Sequence, residues 1–264
     1  MTRAAGAVLC ASLACVALIS PSIALAAQSS SALSEQLLSG NAGERSAALE
    51  EVRRLGVGRA SQEVRSALIE ALQQEAMLHR RRDLADRRGD NLPALDDPEL
   101  LNRLARTVGE LRDPASIPAL AAALGSGFAV IRPLAAFGER AVPAVLAVES
   151  SPDSGAGAIN HALIALRFIV EGANGGLGER TMADLQRVAA RRLSDGEGSA
   201  TTTLWWAIDL AWEVEDKDLR QSVEVLATDP NAVMARGITD PELIEQTQRR
   251  AADRIAGVPA LPRP

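Results

Sequence analysis

The chain has 264 residues, of which 47% are hydrophobic, 23% charged and only 2% aromatic, with a net charge of -6. That apolar content at modest net charge excludes a disordered chain, and 49 alanines beside abundant Leu, Arg and Glu argue for helix and against a β-sandwich or barrel. Acidic residues outnumber basic ones by 34 to 28, which argues against a phosphate-neutralising surface and so against nucleic acid as a partner.

The first 26 residues read as an address. Met1-Thr2-Arg3 is a short cationic start, Ala4 to Ile19 is apolar, and Ala24-Leu25-Ala26 is a small-residue cleavage site. These are the parts of a secretory signal peptide, with cleavage expected after Ala26. An uncleaved anchor is the competing reading, and Pro21 with the weakly hydrophobic Ala-rich composition counts against it. The expectation is an exported protein, periplasmic or secreted. Cys10 and Cys15 both lie inside this segment. The mature chain would then have no disulfide, no Cys nucleophile and no Cys-ligated metal.

From residue 31 the apolar residues recur at helical spacing. Val64, Leu68, Leu72 and Ala76 make one stripe, Leu100, Leu101, Leu104, Val108 and Leu111 a second, and Leu243, Ile244, Ala251 and Ile255 a third. Asp-Pro occurs at 97–98, 113–114, 229–230 and 240–241, each time before a helical pattern. There Asp can cap exposed N–H groups and Pro can occupy the first turn. Ile159 to Val170 is apolar nearly all round and should be the most buried helix, ended by the Gly-rich run 172–178. Residues 83–97 are expected to form a long connection or an insertion, 194–203 a loop before a Trp-bearing helix, and 257–264 a mobile tail.

Some segments are alike. Ile117-Pro118-Ala119-Leu120 and Val142-Pro143-Ala144-Val145 open helices in the same way, and residues 44–56 with 64–68 read as a two-helix unit. Leu111 to Leu120 and Gly138 to Leu146 resemble the turn and second helix of HEAT-like, armadillo-like repeats. The resemblance is good from about 31 to 149–150 and poor over the divergent hairpins of 155–256. It implies an all-α fold, a single domain over 27–264 of stacked antiparallel helical hairpins (an α-solenoid). Physically, hairpins of small residues cannot bury their apolar faces alone and so stack. Such repeats specify architecture and carry no shared catalytic residues.

Candidates for chemistry are few. His161 lies in the most apolar helix, and His79 precedes Arg80, Arg81 and Arg82 at what reads as a helix end, where cations suit the helix dipole. Two separated His without Cys make a poor zinc site, and no metal or cofactor is expected. The glycines of 172–178 lack the strand and Lys-Ser/Thr of a phosphate loop, and the acidic run 213–218 lacks the ligand spacing of a calcium loop. Arg80, Arg81, Arg82, Arg87 and Arg88 form the basic cluster of the chain. Trp205 and Trp212 share a helical face, with Trp206 turned by about 100°. These eight residues are the candidate partner-binding set. The expectation is a non-catalytic interaction or scaffold module of the cell envelope that holds a protein or peptide in the groove of a helical array. The alternatives are an envelope enzyme using His161, which requires His161 to open on a pocket, and a peripheral membrane module using Arg80–Arg88.

Overall fold

A computed structural model describes residues 30–90, 92–173, 175–195 and 201–258. The first 26 residues, expected to be a signal peptide and holding Cys10 and Cys15, and residues 259–264 of the expected tail lie outside these. The described residues are all-α, with no strand among them. The helices are α1 (30–37), α2 (Ala42–Leu55), α3 (Gln62–Arg88), α4 (Leu100–Glu110), α5 (Ile117–Ala122), α6 (Ile131–Ala135) and α7 (Val142–Ser150). They continue with α8 (Ala156–Ala173), α9 (Glu179–Ser194), α10 (Thr201–Glu213), α11 (Lys217–Thr228), α12 (Pro230–Met234) and α13 (Pro241–Ile255).

Capping chemistry explains several of the starts. Asn41 accepts from the N–H groups of Gly43 and Glu44 at α2, and Ser61 from Val64 at α3. Asp113, Asp229 and Asp240 each accept at least one N–H of the turn that follows, with Pro next in the chain. Asp97 bonds the Glu99 N–H, so its Asp-Pro pair builds the turn that leads into α4 rather than its first residue.

The stripes of α3 and α4 are buried as their spacing requires: Val64, Leu68, Leu72 and Ala76, then Leu100, Leu101, Leu104, Val108 and Leu111. The third stripe is only partly core. Ala251 is buried, Leu243 and Ile244 are half-buried, and Ile255 is exposed because α13 ends there. The connection expected from residue 83 starts later. α3 runs on to Arg88 and ends at Gly89 in the left-handed conformation, because nothing in its Arg-, Leu- and Ala-rich last turns breaks a helix.

α8 is the central helix. Its length of 18 residues and mean hydropathy of 1.2 would suit a membrane span by composition alone, but it packs on α6, α7 and α10, with Ala162 to Arg167 all buried. The remaining contacts follow chain order in two series. One joins α2, α4, α6, α8, α10 and α13, each touching the next; the other joins α3 to α5, α5 to α7, and α9 to α11. Between the series, α3 packs on α4, α7 on α8, α9 on α10 and α11 on α13.

Side-chain bonds reinforce these contacts at a recurring interval. Arg191 and Arg192 of α9 both reach the fully buried Glu149 of α7; Thr203 of α10 reaches Asn160 of α8; Trp205 of α10 reaches Thr247 of α13; and Arg250 of α13 reaches Asp209 of α10. Each of these pairs is 41–43 residues apart.

Candidate functional site

A groove of about 380 Å³ opens between α3 and the α5–α7–α8 side. Its floor is one face of α5 and the turn after it: Pro118, Ala121, Ala122 and Gly125, at the spacing that puts four residues on one helical face. α7 adds Ala144, Ala147 and Val148; the turn 151–155 adds Ser151, Asp153, Ser154 and Gly155; and α8 adds Ala158. His79, Arg80, Asp83 and Leu84 of α3 form the facing wall. Both α5 and α7 open with a β-branched residue followed by Pro in the first turn, a start that needs no N–H donor from Pro. The small side chains of their exposed faces are what leave the space.

Most of the charge lies on the α3 wall. Arg80 pairs with Asp153 at 3.4 Å across the groove mouth, and Arg87 pairs with Asp83 on its own helix. The Arg87 guanidinium also lies on Gly155, in the space a Cβ there would take, so a larger residue at 155 would displace the end of the Arg87 side chain. Arg82 donates to the Pro93 carbonyl at 2.6 Å and pairs with no carboxylate among the described residues. Arg81 and Arg88 are exposed and have no partner among the described residues. The Arg80–Arg82 run is not at a helix end, as its sequence context suggests: α3 continues through a further six residues, and its last-turn cations are Arg87 and Arg88. In the same wall, His79 Nε2 is buried without a hydrogen-bond partner. Burial pushes its pKa below the ordinary histidine range, with Glu75 opposing and Arg82 adding to the fall.

The Trp group lies elsewhere, and none of its members lines this groove. Trp205, Trp206 and Trp212 are all half-buried and already engaged. Trp205 Nε1 donates to Thr247 Oγ1 at 2.9 Å, the Arg250 guanidinium stacks 4.7 Å from the Trp206 ring, and Arg220 stacks 5.1 Å from Trp212. Beneath them Asp209 is fully buried, bonded to Arg250 at 2.5 Å and facing Arg254 at 3.7 Å. Burial raises the Asp209 pKa, opposed by Arg250 first and then by Arg254 and Arg167. This network ties α10 to α13. The sequence holds its members 41–45 residues apart, and no local pattern marks them.

His161 does not line the groove. Its Nδ1 donates to the Leu124 carbonyl at 2.5 Å, and its ring packs against Phe128 with centroids 4.6 Å apart. Burial lowers its pKa, with the Leu124 bond opposing, so the ring is neutral near neutral pH. Among the described residues no carboxylate bonds to it. Among the described residues no three His, Cys, Asp or Glu side chains gather as a metal site requires. The run 213–218 serves structure: Glu213 pairs with Arg254, and Asp216 caps α11.

Sequence reasoning reached Arg80 and its neighbours but missed the floor of the groove. A stripe of small residues at 118, 121, 122 and 125 was the available signal, and Ala and Gly carry no chemistry that would single it out. No family model matches the chain, and no curated protein or solved structure is significantly similar to it.

Proposed function

We propose that this chain is a non-catalytic binding module of the cell envelope, built as a HEAT-like array of helical hairpins, that holds a segment of a protein or peptide between α3 and α7. The observation that carries the reading is the groove itself: about 380 Å³ of open space floored by Pro118, Ala122 and Gly125 and rimmed by paired and unpaired charges. Binding surfaces combine such an apolar floor with a polar rim. The array reading is supported by the two chain-order contact series and by the 41–43 residue interval of the ties from α7 to α13. That interval falls within the roughly 40–47 residues of HEAT and armadillo repeats. The interval is clearest in the half where the sequence motifs are weakest, since polar pairs preserve a register that degenerate motifs do not. Export rests on the N-terminal 26 residues of the sequence alone.

A photo-crosslinking side chain placed at Ala122 or Ala147, compared with exposed Gln221 on α11, tests the reading in cells that make the protein. A discrete protein adduct is expected at the two groove positions only. Adducts of equal yield at Gln221, or none at the groove, would remove the groove as the binding site.

A further inference from the structure

The two walls of the groove differ in kind, and the difference describes what fits between them. The faces of α5 and α7 that line it carry no charge, and Asp153 is the one acid on that side. Across from them, residues 80–88 of α3 hold five arginines against Asp83 and Asp86. The Asp83 and Asp153 carboxylates pair with Arg87 and Arg80. Arg81, Arg82 and Arg88 are left without a carboxylate partner among the described residues. Met77, Arg81, Leu84 and Arg88 follow at four, three and four residues, so they share one flank of α3; Leu84 itself lines the groove. Met77 on that flank is 53% exposed, an apolar contact beside the cations. A cationic, partly apolar ridge thus borders a trough of small side chains whose one acid on the far side, Asp153, is paired with Arg80, on a chain whose net charge is -6.

We propose that the occupant is an acidic segment of another protein. Its Asp or Glu carboxylates lie along Arg81 and Arg88, and its small or branched apolar side chains sit on Ala122, Gly125 and Ala147. This inference rests on the binding-module reading and adds the chemistry of the partner. Guanidinium groups take carboxylates in paired hydrogen bonds, and neither Arg81 nor Arg88 must break an existing pair to do so. The Arg80–Asp153 pair is exposed on both sides, so an incoming carboxylate can exchange with Asp153 at little cost.

The test is selection of short random peptides on the purified protein, on Ala122→Trp and on Arg81→Glu/Arg88→Glu. All three substituted positions are exposed, and circular dichroism checks that each variant is folded. The wild-type pool is expected to be enriched in Asp, Glu and apolar residues. A labelled peptide from that pool should bind about tenfold more weakly to the double charge variant, weaken as salt rises, and fail to bind Ala122→Trp. A neutral or basic pool whose peptides ignore the charge reversal but are lost on Ala122→Trp overturns the acidic partner and leaves the groove standing. No selection at all, or a pool that Ala122→Trp retains, overturns the groove reading as well. Preferential binding of anionic over neutral lipid vesicles, lost on charge reversal and with no peptide selected, would assign the cations to a membrane surface and defeat the proposal.

Discussion

At the scale of single residues, glycine has opposite value at two positions in this chain. Gly109 lies buried in the last turn of α4, and a Cβ there would stand 2.5 Å from Pro133 Cβ and 3.3 Å from Pro133 Cα. Proline is rigid, so α4 or α6 would have to move. Gly157, in the first turn of α8, has open space around it. Helix propensity alone favours Ala over Gly by about 1 kcal/mol at either site, whereas forcing a methyl into a closed contact costs about 1–3 kcal/mol. Gly157→Ala should therefore raise the denaturation midpoint, and Gly109→Ala should lower it by the equivalent of about 1–2 kcal/mol. Equal and favourable shifts for both would mean that α4 and α6 do not approach this closely. The α4–α6 contact, and with it the spacing of the layer that supports the groove floor, depends on that missing side chain.

At the scale of elements, what joins helices differs from what forms them. The Asp209 carboxylate is fully buried between Arg250 and Arg254, and Arg254 is itself 6% exposed. Removing one partner of such a pair leaves a charge without compensation and costs about 3–5 kcal/mol. Asp209→Ala should destabilise the protein by about 3 kcal/mol, since Glu213 remains to hold part of the Arg254 charge. The Arg249–Glu245 pair on the same helix is as short, at 2.6 Å, but open to water on both sides, so Arg249→Ala should leave stability unchanged within error. Chemical denaturation of the two variants compares them directly, and equal losses would mean that Asp209 is not shielded from solvent. The same contrast sets how much of the fold was legible in the sequence. α3 and α4 could be read because their buried residues repeat every three or four positions, and the Asp-Pro turns because capping is local. The end of α3 is not legible, because its polar Arg and Asp residues look like a connection, whereas Arg and Ala hold a helix well until Gly89 stops it. Glu149, Asp209 and the groove floor could not be read, since their partners lie some forty residues away and their side chains are common ones.

At the scale of the whole molecule, stability should grade along the chain. Most helix contacts join elements close in chain order, and α8, with its run of buried residues from Ala162 to Arg167, stands in the middle of the contact series, with α2 and α13 towards its two ends. If the helices form the array proposed above, each layer is held by its neighbours alone, so an end layer can open while the middle stays closed. Amide hydrogen exchange under native conditions should then be slowest in α8, from Leu163 to Ile169, and faster towards α2 on one side and α13 on the other. The Asp209 network modifies the gradient, because it fixes α13 to α10 through charges that are expensive to separate. α13 is therefore expected to exchange more slowly than α2, which makes only sparse contacts with α4 and is tied to α3 by the single buried pair Arg45–Glu75 at 3.3 Å. Asp209→Ala should abolish that asymmetry and leave α8 protected. One exchange free energy shared by all helices would instead make the chain a single cooperative unit, and the array reading would fall with it. A graded profile also has a functional consequence. The groove is built from α3, α5, α7 and the start of α8, so with such a gradient its α8 side would be the more protected and the α3 wall the nearer to the end that opens first.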